Sequence, residues 1–247
     1  MKIVVCIKQV PDTKGGVVFN PDGTLNRGAM LTIMNPDDKA GLEAALRIKE
    51  QTGAEVIVLT MGLPKADDVL REAMAMGADR GILVTDRVLG GADTWATSTT
   101  IAGAIRNLDY DLIITGRQAI DGDTAQVGPA IAEHLTIPHA AWVAEIVDVN
   151  EKAIQVRQDL VSVSQISEIP YPCLLTIDKD TCVPRLPSYL LKKATADRPI
   201  RILSFENMPD QDLSRYGLVG SPTSVERMFA PPEGEKQVYL EGSAKEK

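Results

Sequence analysis

From residue 1 to about 140, short runs rich in Val, Ile and Leu alternate with longer stretches whose apolar residues recur at helical spacing. That alternation is the signature of βα units wound around a parallel sheet. The short runs cover residues 2–7, 55–61, 81–85 and 111–115. Between the first two, residues 36–52 place Gly41, Ala44, Ala45 and Ile48 on one helical stripe, and Gly53 supplies the stop. The next stripe, Val69, Ala73 and Met76, ends at Gly77. A third helix, 94–107, opens after Gly90-Gly91-Ala92-Asp93 and carries Ala96, Ile101, Ala104 and Ile105, and a fourth falls near 129–135.

After residue 140 the pattern turns to longer strand-like stretches, 141–149, 153–160 and 161–169, with a final run at 173–177. Nine of the 15 prolines lie beyond residue 165, and proline lacks the ladder donor and restricts its predecessor, so the last seventy or so residues read as an extended arm rather than a compact unit. Such a segment either moves freely or lies on another surface. Residues 241–247 read as disordered. The predicted class is therefore α/β: an open, mostly parallel sheet flanked by helices, with extra strands, over 1–183, followed by a loop and arm over 184–247.

Composition narrows the function. The 247 residues carry 26 basic and 34 acidic side chains, a formal charge of -8, and only 4% are aromatic, which disfavours nucleic acid as partner because neither phosphate attraction nor stacking platforms are abundant. Two histidines and three cysteines (Cys6, Cys173, Cys182), in no CxxC spacing, suit neither structural zinc nor an iron–sulfur cluster. Sparse, odd-numbered cysteine fits a reducing compartment. The opening Met1-Lys2-Ile3-Val4-Val5-Cys6-Ile7-Lys8 has the form of neither a signal peptide nor a membrane span, so the reading is cytoplasmic, without membrane insertion.

Open parallel sheets bind ligands beyond the carboxyl ends of their strands. Four segments there stand out: 6–12, Met34-Asn35-Pro36-Asp37-Asp38, Gly90-Gly91-Ala92-Asp93-Thr94, and the long segment 116–129. The last combines glycines, a cation (Arg117) and the hydroxyl and amide donors of Gln118, Thr124 and Gln126 just before a helix, the make-up of an anion site for a nucleotide phosphate. Thr94 and Thr97 place two hydroxyls near another helix start. Plainer readings stand beside these. Asp93/Thr94 and Asp123/Thr124 are good helix caps, and Asn35-Pro36 is a common helix entry. Cys6 fits a small core residue, and Trp95 and Trp142 fit packing better than flavin stacking. Metal or acid–base roles for His134 and His139 have little support, and neither GxGxxG nor GxxxxGK[ST] is present.

Gly116-Arg117-Gln118-Ala119-Ile120-Asp121-Gly122-Asp123-Thr124-Ala125-Gln126-Val127-Gly128-Pro129 closely resembles the β subunit of electron transfer flavoproteins. So do Met34-Asn35-Pro36, Ala73-Met74-Ala75-Met76-Gly77-Ala78-Asp79-Arg80 and the opening Val4-Val5-Cys6-Ile7-Lys8-Gln9-Val10-Pro11-Asp12. The likeness runs to about residue 230. It implies a Rossmann-like fold of the adenine-nucleotide α-hydrolase kind and a heterodimer with an α subunit that holds FAD. The resemblance lays the β-subunit nucleotide against Cys6, Asn35–Asp38, Met61, and Gly116, Arg117, Gln118, Asp121, Gly122, Asp123, Thr124, Ala125, Gln126 and Val127.

In the housekeeping branch of that family the nucleotide is a structural AMP, and an Asn and a hydroxyl stand where this chain has Ala125 and Val127. These departures, with Gly90-Gly91-Ala92-Asp93-Thr94-Trp95-Ala96-Thr97 and Gly220-Ser221-Pro222-Thr223, resemble the electron-bifurcating branch, in which a second FAD takes the place of AMP. Asp93, Thr94 and Thr97 would then contact the larger cofactor.

The same resemblance implies that NADH reduces the β-bound FAD. One electron would pass through the α-subunit FAD to an acyl-CoA dehydrogenase-type acceptor and the other to ferredoxin or flavodoxin. Arg117 and the loop amides are the candidates for tuning the flavin, and no catalytic acid or base is needed. Pro184-Arg185-Leu186-Pro187 falls at the family's recognition loop, with Leu186 as the acceptor anchor or, alternatively, a contact to the α subunit, and the arm within 184–247 is expected to pack on the α subunit. The rival readings are the housekeeping subunit with AMP and a universal-stress-type nucleotide-binding module.

Overall fold

A computed structural model describes residues 1–12 and 31–225. The stretch 241–247, expected to be disordered, lies outside the described residues. Strands β1 (Lys2–Cys6), β4 (Glu55–Met61), β5 (Arg80–Val84), β6 (Leu112–Gly116) and β10 (Cys173–Ile177) form the parallel centre of a nine-stranded sheet. The remaining members are β7 (His139–Val149), β8 (Ala153–Asp159), β9 (Ser164–Pro170) and β11 (Arg201–Leu203), giving the order β11-β5-β4-β1-β6-β10-β7-β8-β9. A small antiparallel hairpin pairs β2 (Gln9–Pro11) with β3 (Thr32–Met34). The central strands read as unbroken apolar runs because both faces are covered.

Helices α1 (Pro36–Thr52) and α2 (Asp67–Met76) cover one face, packing Leu42, Leu46, Leu70 and Met74 on Ile3, Val5, Val58 and Leu112. Helices α3 (Thr94–Ile105) and α4 (Val127–Leu135) cover the other, packing Ile101, Ile105 and Ile131 on Val4, Leu59, Ile82 and Ile113. Each such side chain taken fully out of water contributes roughly 1.5–3 kcal/mol. The α1 stop lies at the expected residue: Gly53 takes φ 73 and its N–H bonds the Lys49 carbonyl at 2.8 Å. Close approach of α4 to the sheet depends on Gly128, where a Cβ would stand 2.6 Å from Thr115 Oγ1 and 2.7 Å from Thr176 Cγ2.

Three local expectations change. The helix read near 129–135 starts at Val127 with Gln126 at its N-cap, so Asp123 and Thr124 are not its caps; Asp123 and Ala125, both at φ 53, hold the chain out of helix until then. The stretch 161–169 begins as strand only at Ser164, after a turn. Trp142 is 47% exposed rather than packed away, because an irregularity in β7 at Trp142, with φ 60, turns its N–H to the buried Thr176 hydroxyl at 2.9 Å.

Beyond residue 183 the described part of the arm lies on the body of this chain. Helix α5 (Tyr189–Ala194) packs on α2, and β11 adds a parallel edge strand to β5. The segment then crosses the α3 face, where Tyr216 is 2% exposed and meets Phe205 edge-on at 5.3 Å. The prolines prevent a separate core, as the sequence indicated, and the body's own sheet edge and α3 face supply the surface they need.

Candidate functional site

The strand order reverses at β1. The chain moves outward from β1 through β4 to β5, then returns to lay β6 on the opposite side, so the topological switch lies between β1 and β6. The loops leaving these two strands must part there, which opens a crevice at their carboxyl ends. The long segment after Gly116 and the segment after Cys6 meet at that point.

Helix α1 fixes the long loop from one side through its first turn. Asn35 occupies the N-cap position, yet its side chain makes no capping bond. Instead its Nδ2 donates to the Gln118 carbonyl at 2.7 Å and its Oδ1 accepts from the Ile120 N–H at 3.1 Å. Asp38 Oδ1 accepts from Gly116 N at 3.0 Å and Oδ2 from Lys8 N at 2.8 Å, so one carboxylate ties both diverging loops. Asp37 adds a bond from Gln118 N at 3.2 Å. Burial raises the Asp38 carboxyl to about 7 despite these N–H donors. Across the top, the Lys8 ammonium bonds both Asp121 oxygens, at 2.7 and 2.9 Å.

On the other side stand the starts of α3 and α4. Asp93 caps α3, accepting from Ala96 N at 3.0 Å, and its second oxygen accepts from Thr223 N at 3.0 Å and Thr223 Oγ1 at 2.8 Å. Ser221 Oγ accepts from Asp93 N at 2.8 Å. The Gly220-Ser221-Pro222-Thr223 segment is thereby fastened to the beginning of α3. Thr94 Oγ1 donates to Gln126 Oε1 at 3.1 Å, which sets the two helix starts side by side. Thr97 follows Thr94 on the same helical face and is half-buried.

The fit to a flavin or adenine nucleotide rests on this geometry. Asp121, Gly122, Asp123 and Thr124 are exposed. A Cβ on Gly122 would meet nothing within 4 Å, so backbone there is open to a ligand. Ala125 at φ 53 precedes right-handed Gln126, a pairing of opposite hands that turns successive N–H groups into a concavity suited to anions. Met61 and Cys6 belong to the apolar cluster on the α3 and α4 side. Burial pushes the Cys6 thiol up to about 12, so it presents a neutral, apolar surface and no thiolate.

Arg117 opens the same loop. Its guanidinium pairs with Asp178 at 2.6 Å and lies 4.8 Å from the Trp142 ring centroid, on the strand β10 side of the loop. Asp178, which holds Arg117, escaped a reading based on motifs, while Lys8 and Asp37 lie in the segments 6–12 and 34–38 that the motifs single out. The acidic pair after Asn35-Pro36 and the cation directly after β1 were the available signals. Leu186 stands away from the crevice and is 85% exposed. Among the described residues no group of three or more His, Cys, Asp or Glu side chains converges as a metal site, and no helix is long and apolar enough to cross a membrane.

Residues 23–206 match the electron transfer flavoprotein domain family. The chain belongs to the electron transfer flavoprotein family, among its β subunits. It is 47% identical to the electron transfer flavoprotein subunit beta of Clostridium acetobutylicum over 92% of this chain and 87% of that one. It is 45% identical to the acryloyl-CoA reductase electron transfer subunit gamma of Anaerotignum propionicum, over 100% of this chain and 95% of the relative. A caffeyl-CoA reductase–Etf complex subunit of Acetobacterium woodii is 46% identical over 94% of this chain and 88% of its own length. Electron transfer with a bound flavin is therefore the family's chemistry, and the switch-point crevice of this electron transfer flavoprotein subunit has donors and open backbone that fit such a cofactor.

Proposed function

We propose that this chain is the β subunit of a heterodimeric electron transfer flavoprotein of the bifurcating kind, with FAD rather than AMP in the switch-point crevice. One observation carries the choice: Thr94 Oγ1 bonds Gln126 Oε1, so the starts of α3 and α4 stand side by side beyond the strand ends. Two positive helix ends can each face one of the two phosphate groups of a pyrophosphate, whereas AMP presents a single phosphate group. The small side chain at Ala125, where the housekeeping pattern has Asn, leaves room for the longer cofactor.

When bound, the flavin supplies acceptance of a hydride from NADH and delivery of electrons singly, to ferredoxin or flavodoxin and, through the α-subunit FAD, to an acyl-CoA dehydrogenase-type acceptor. The residues of this chain hold and orient. Asn35, Asp37 and Asp38 fix the backbone of 116–120, and Gly122 and Asp123 donate their N–H groups to the Ala119 carbonyl, which leaves the amides of 124–127 to face the ligand. Asp93 and Thr223 fix the α3 start, so that Thr94 and Thr97 are presented in a set geometry. Cys6 and Met61 wall the crevice with apolar surface and help exclude water. Leu186, between Pro184 and Pro187, is the anchor for the acceptor dehydrogenase, since a proline-braced leucine loses little freedom on docking.

Co-expression with the α subunit and a count of bound cofactors tests this reading. Two flavins per heterodimer are expected. One flavin with one AMP overturns bifurcation in favour of the housekeeping role, and a chain that binds adenine nucleotide with no flavin in its complex overturns both in favour of a nucleotide-binding module.

A further inference from the structure

The loop that carries Leu186 is fastened to two carboxylates of α1 by Arg185. Arg185 Nε and Nη2 donate to the two oxygens of Glu43 at 2.8 and 3.1 Å, its backbone N–H donates to Glu43 Oε2 at 3.1 Å, and its Nη1 donates to Glu50 Oε1 at 2.5 Å. The Glu43 side chain is 5% exposed and also accepts from Arg47 Nε at 3.0 Å. A nearly buried carboxylate with a planar fork across both oxygens has one geometry, in contrast to an exposed ion pair between two flexible side chains. Two further ties flank it: Cys182 Sγ bonds the Ala40 carbonyl at 3.3 Å, and the Ser188 N–H bonds the Ala75 carbonyl at 2.8 Å. Between these ties Leu186 is 85% exposed, so the backbone is fixed while its apolar tip faces outward.

We propose that Arg185 is a positioning residue for electron delivery: its fork on Glu43 holds the backbone of 184–187 so that Leu186 meets the acceptor dehydrogenase in a preset conformation. The proposal rests on the reading of Leu186 as the acceptor anchor. A fixed loop docks without the ordering cost that a loose one carries, so loss of the fork is felt in acceptor affinity and not in chemistry at the flavin. Arg47 remains on Glu43 when Arg185 is replaced, so the buried carboxylate keeps a partner and the body keeps its fold.

The test uses the complete heterodimer with a purified acyl-CoA dehydrogenase as acceptor and, in parallel, a small one-electron dye that needs no docking surface. Arg185→Gln is expected to raise KM for the dehydrogenase about tenfold with little change in kcat, the scale of a few side chains newly immobilised on docking. Dye reduction should stay the same, and the amides of 185–186 should exchange hydrogen faster. Arg185→Lys should recover only part of the loss, because an ammonium cannot span both oxygens. Leu186→Ala should raise the same KM, and the double variant should add little to the larger single effect. A raised KM in Leu186→Ala with wild-type KM and exchange in Arg185→Gln overturns the role of Arg185 alone. Wild-type KM in Leu186→Ala overturns the anchor reading and this proposal with it. Equal losses with dye and dehydrogenase in Arg185→Gln show a general structural role and also overturn it.

Discussion

Gly116 donates its N–H to Asp38 Oδ1 at 3.0 Å, and a Cβ on Gly116 would stand only 2.3 Å from that same oxygen. The bond joins the end of β6 to the first turn of α1 at the switch point, and it exists because residue 116 has no side chain. Alanine there must push α1 away, at a cost of about 1–3 kcal/mol for overpacking. Gly122, six residues along the same loop, has open space around its Cβ position. Urea unfolding should therefore show a lower midpoint for Gly116→Ala and an unchanged one for Gly122→Ala. An unchanged Gly116→Ala midpoint would mean that the loop yields without disturbing α1.

The acidity of Asp38 makes stability depend on pH in an unusual direction. Burial carries its carboxyl from the ordinary 3.8 to about 7. Between those values the folded chain holds a proton that the unfolded chain has released, so stability falls as pH rises through the window and levels off above about 7. The slope approaches about 1.4 kcal/mol per pH unit at its steepest. Unfolding free energies of the wild type and Asp38→Asn, subtracted at each pH, should show this fall. A flat difference would mean that Asp38 titrates alike in both states.

Thr94 and Thr97 share one face at the start of α3, and Thr94 already uses its hydroxyl as a donor to Gln126. Substituting both with alanine should lower flavin occupancy in the β crevice of the heterodimer while the α-subunit flavin is retained. Because Asp93 still caps the helix through Ala96 N, the thermal midpoint should shift little. Full occupancy of both flavins would leave the two hydroxyls as structural groups only.

Among the described residues of the arm, Tyr216 is a large side chain sunk into the body, at 2% exposure with Phe205 against it. Tyr216→Ala should cost about 3–5 kcal/mol, the scale for a large buried aromatic, and should free the segment that ties Thr223 to Asp93. Unfolding midpoints together with proteolysis of the arm would measure it. A loss below about 1 kcal/mol would show that the arm rests on the surface without supporting it.

The candidate site can be read from sequence because a phosphate-binding loop would leave local marks. Glycines, hydroxyls and a helix start within 116–129 mark a candidate anion loop from residue types alone, and Gly90-Gly91-Ala92-Asp93-Thr94 marks a second helix start whose cap, Asp93, the structure bears out. Arg117 was less legible: its charge was plain, but its direction depends on Asp178 and Trp142, which are distant in sequence and adjacent only after β6, β7 and β10 pair. Asn35 shows the same limit. A helix-entry residue is expected to cap its own helix, and here the neighbouring strand's loop offers Gln118 and Ile120 as partners instead.

The sequence by itself determined the strands and helices of the central parallel sheet and their order, because runs of Val, Ile and Leu bury on two faces and amphipathic stripes on one. It also determined that the proline-rich segment beyond 183 could form no core of its own. Only the tertiary structure decided where the chain reverses at β1, which partners Asn35, Asp38 and Arg117 take, and that residues 184–225 return to the body through α5, β11 and Tyr216. Periodicity records which face of an element is apolar. Long-range partners are chosen by the packing of whole layers, and no local pattern encodes that choice.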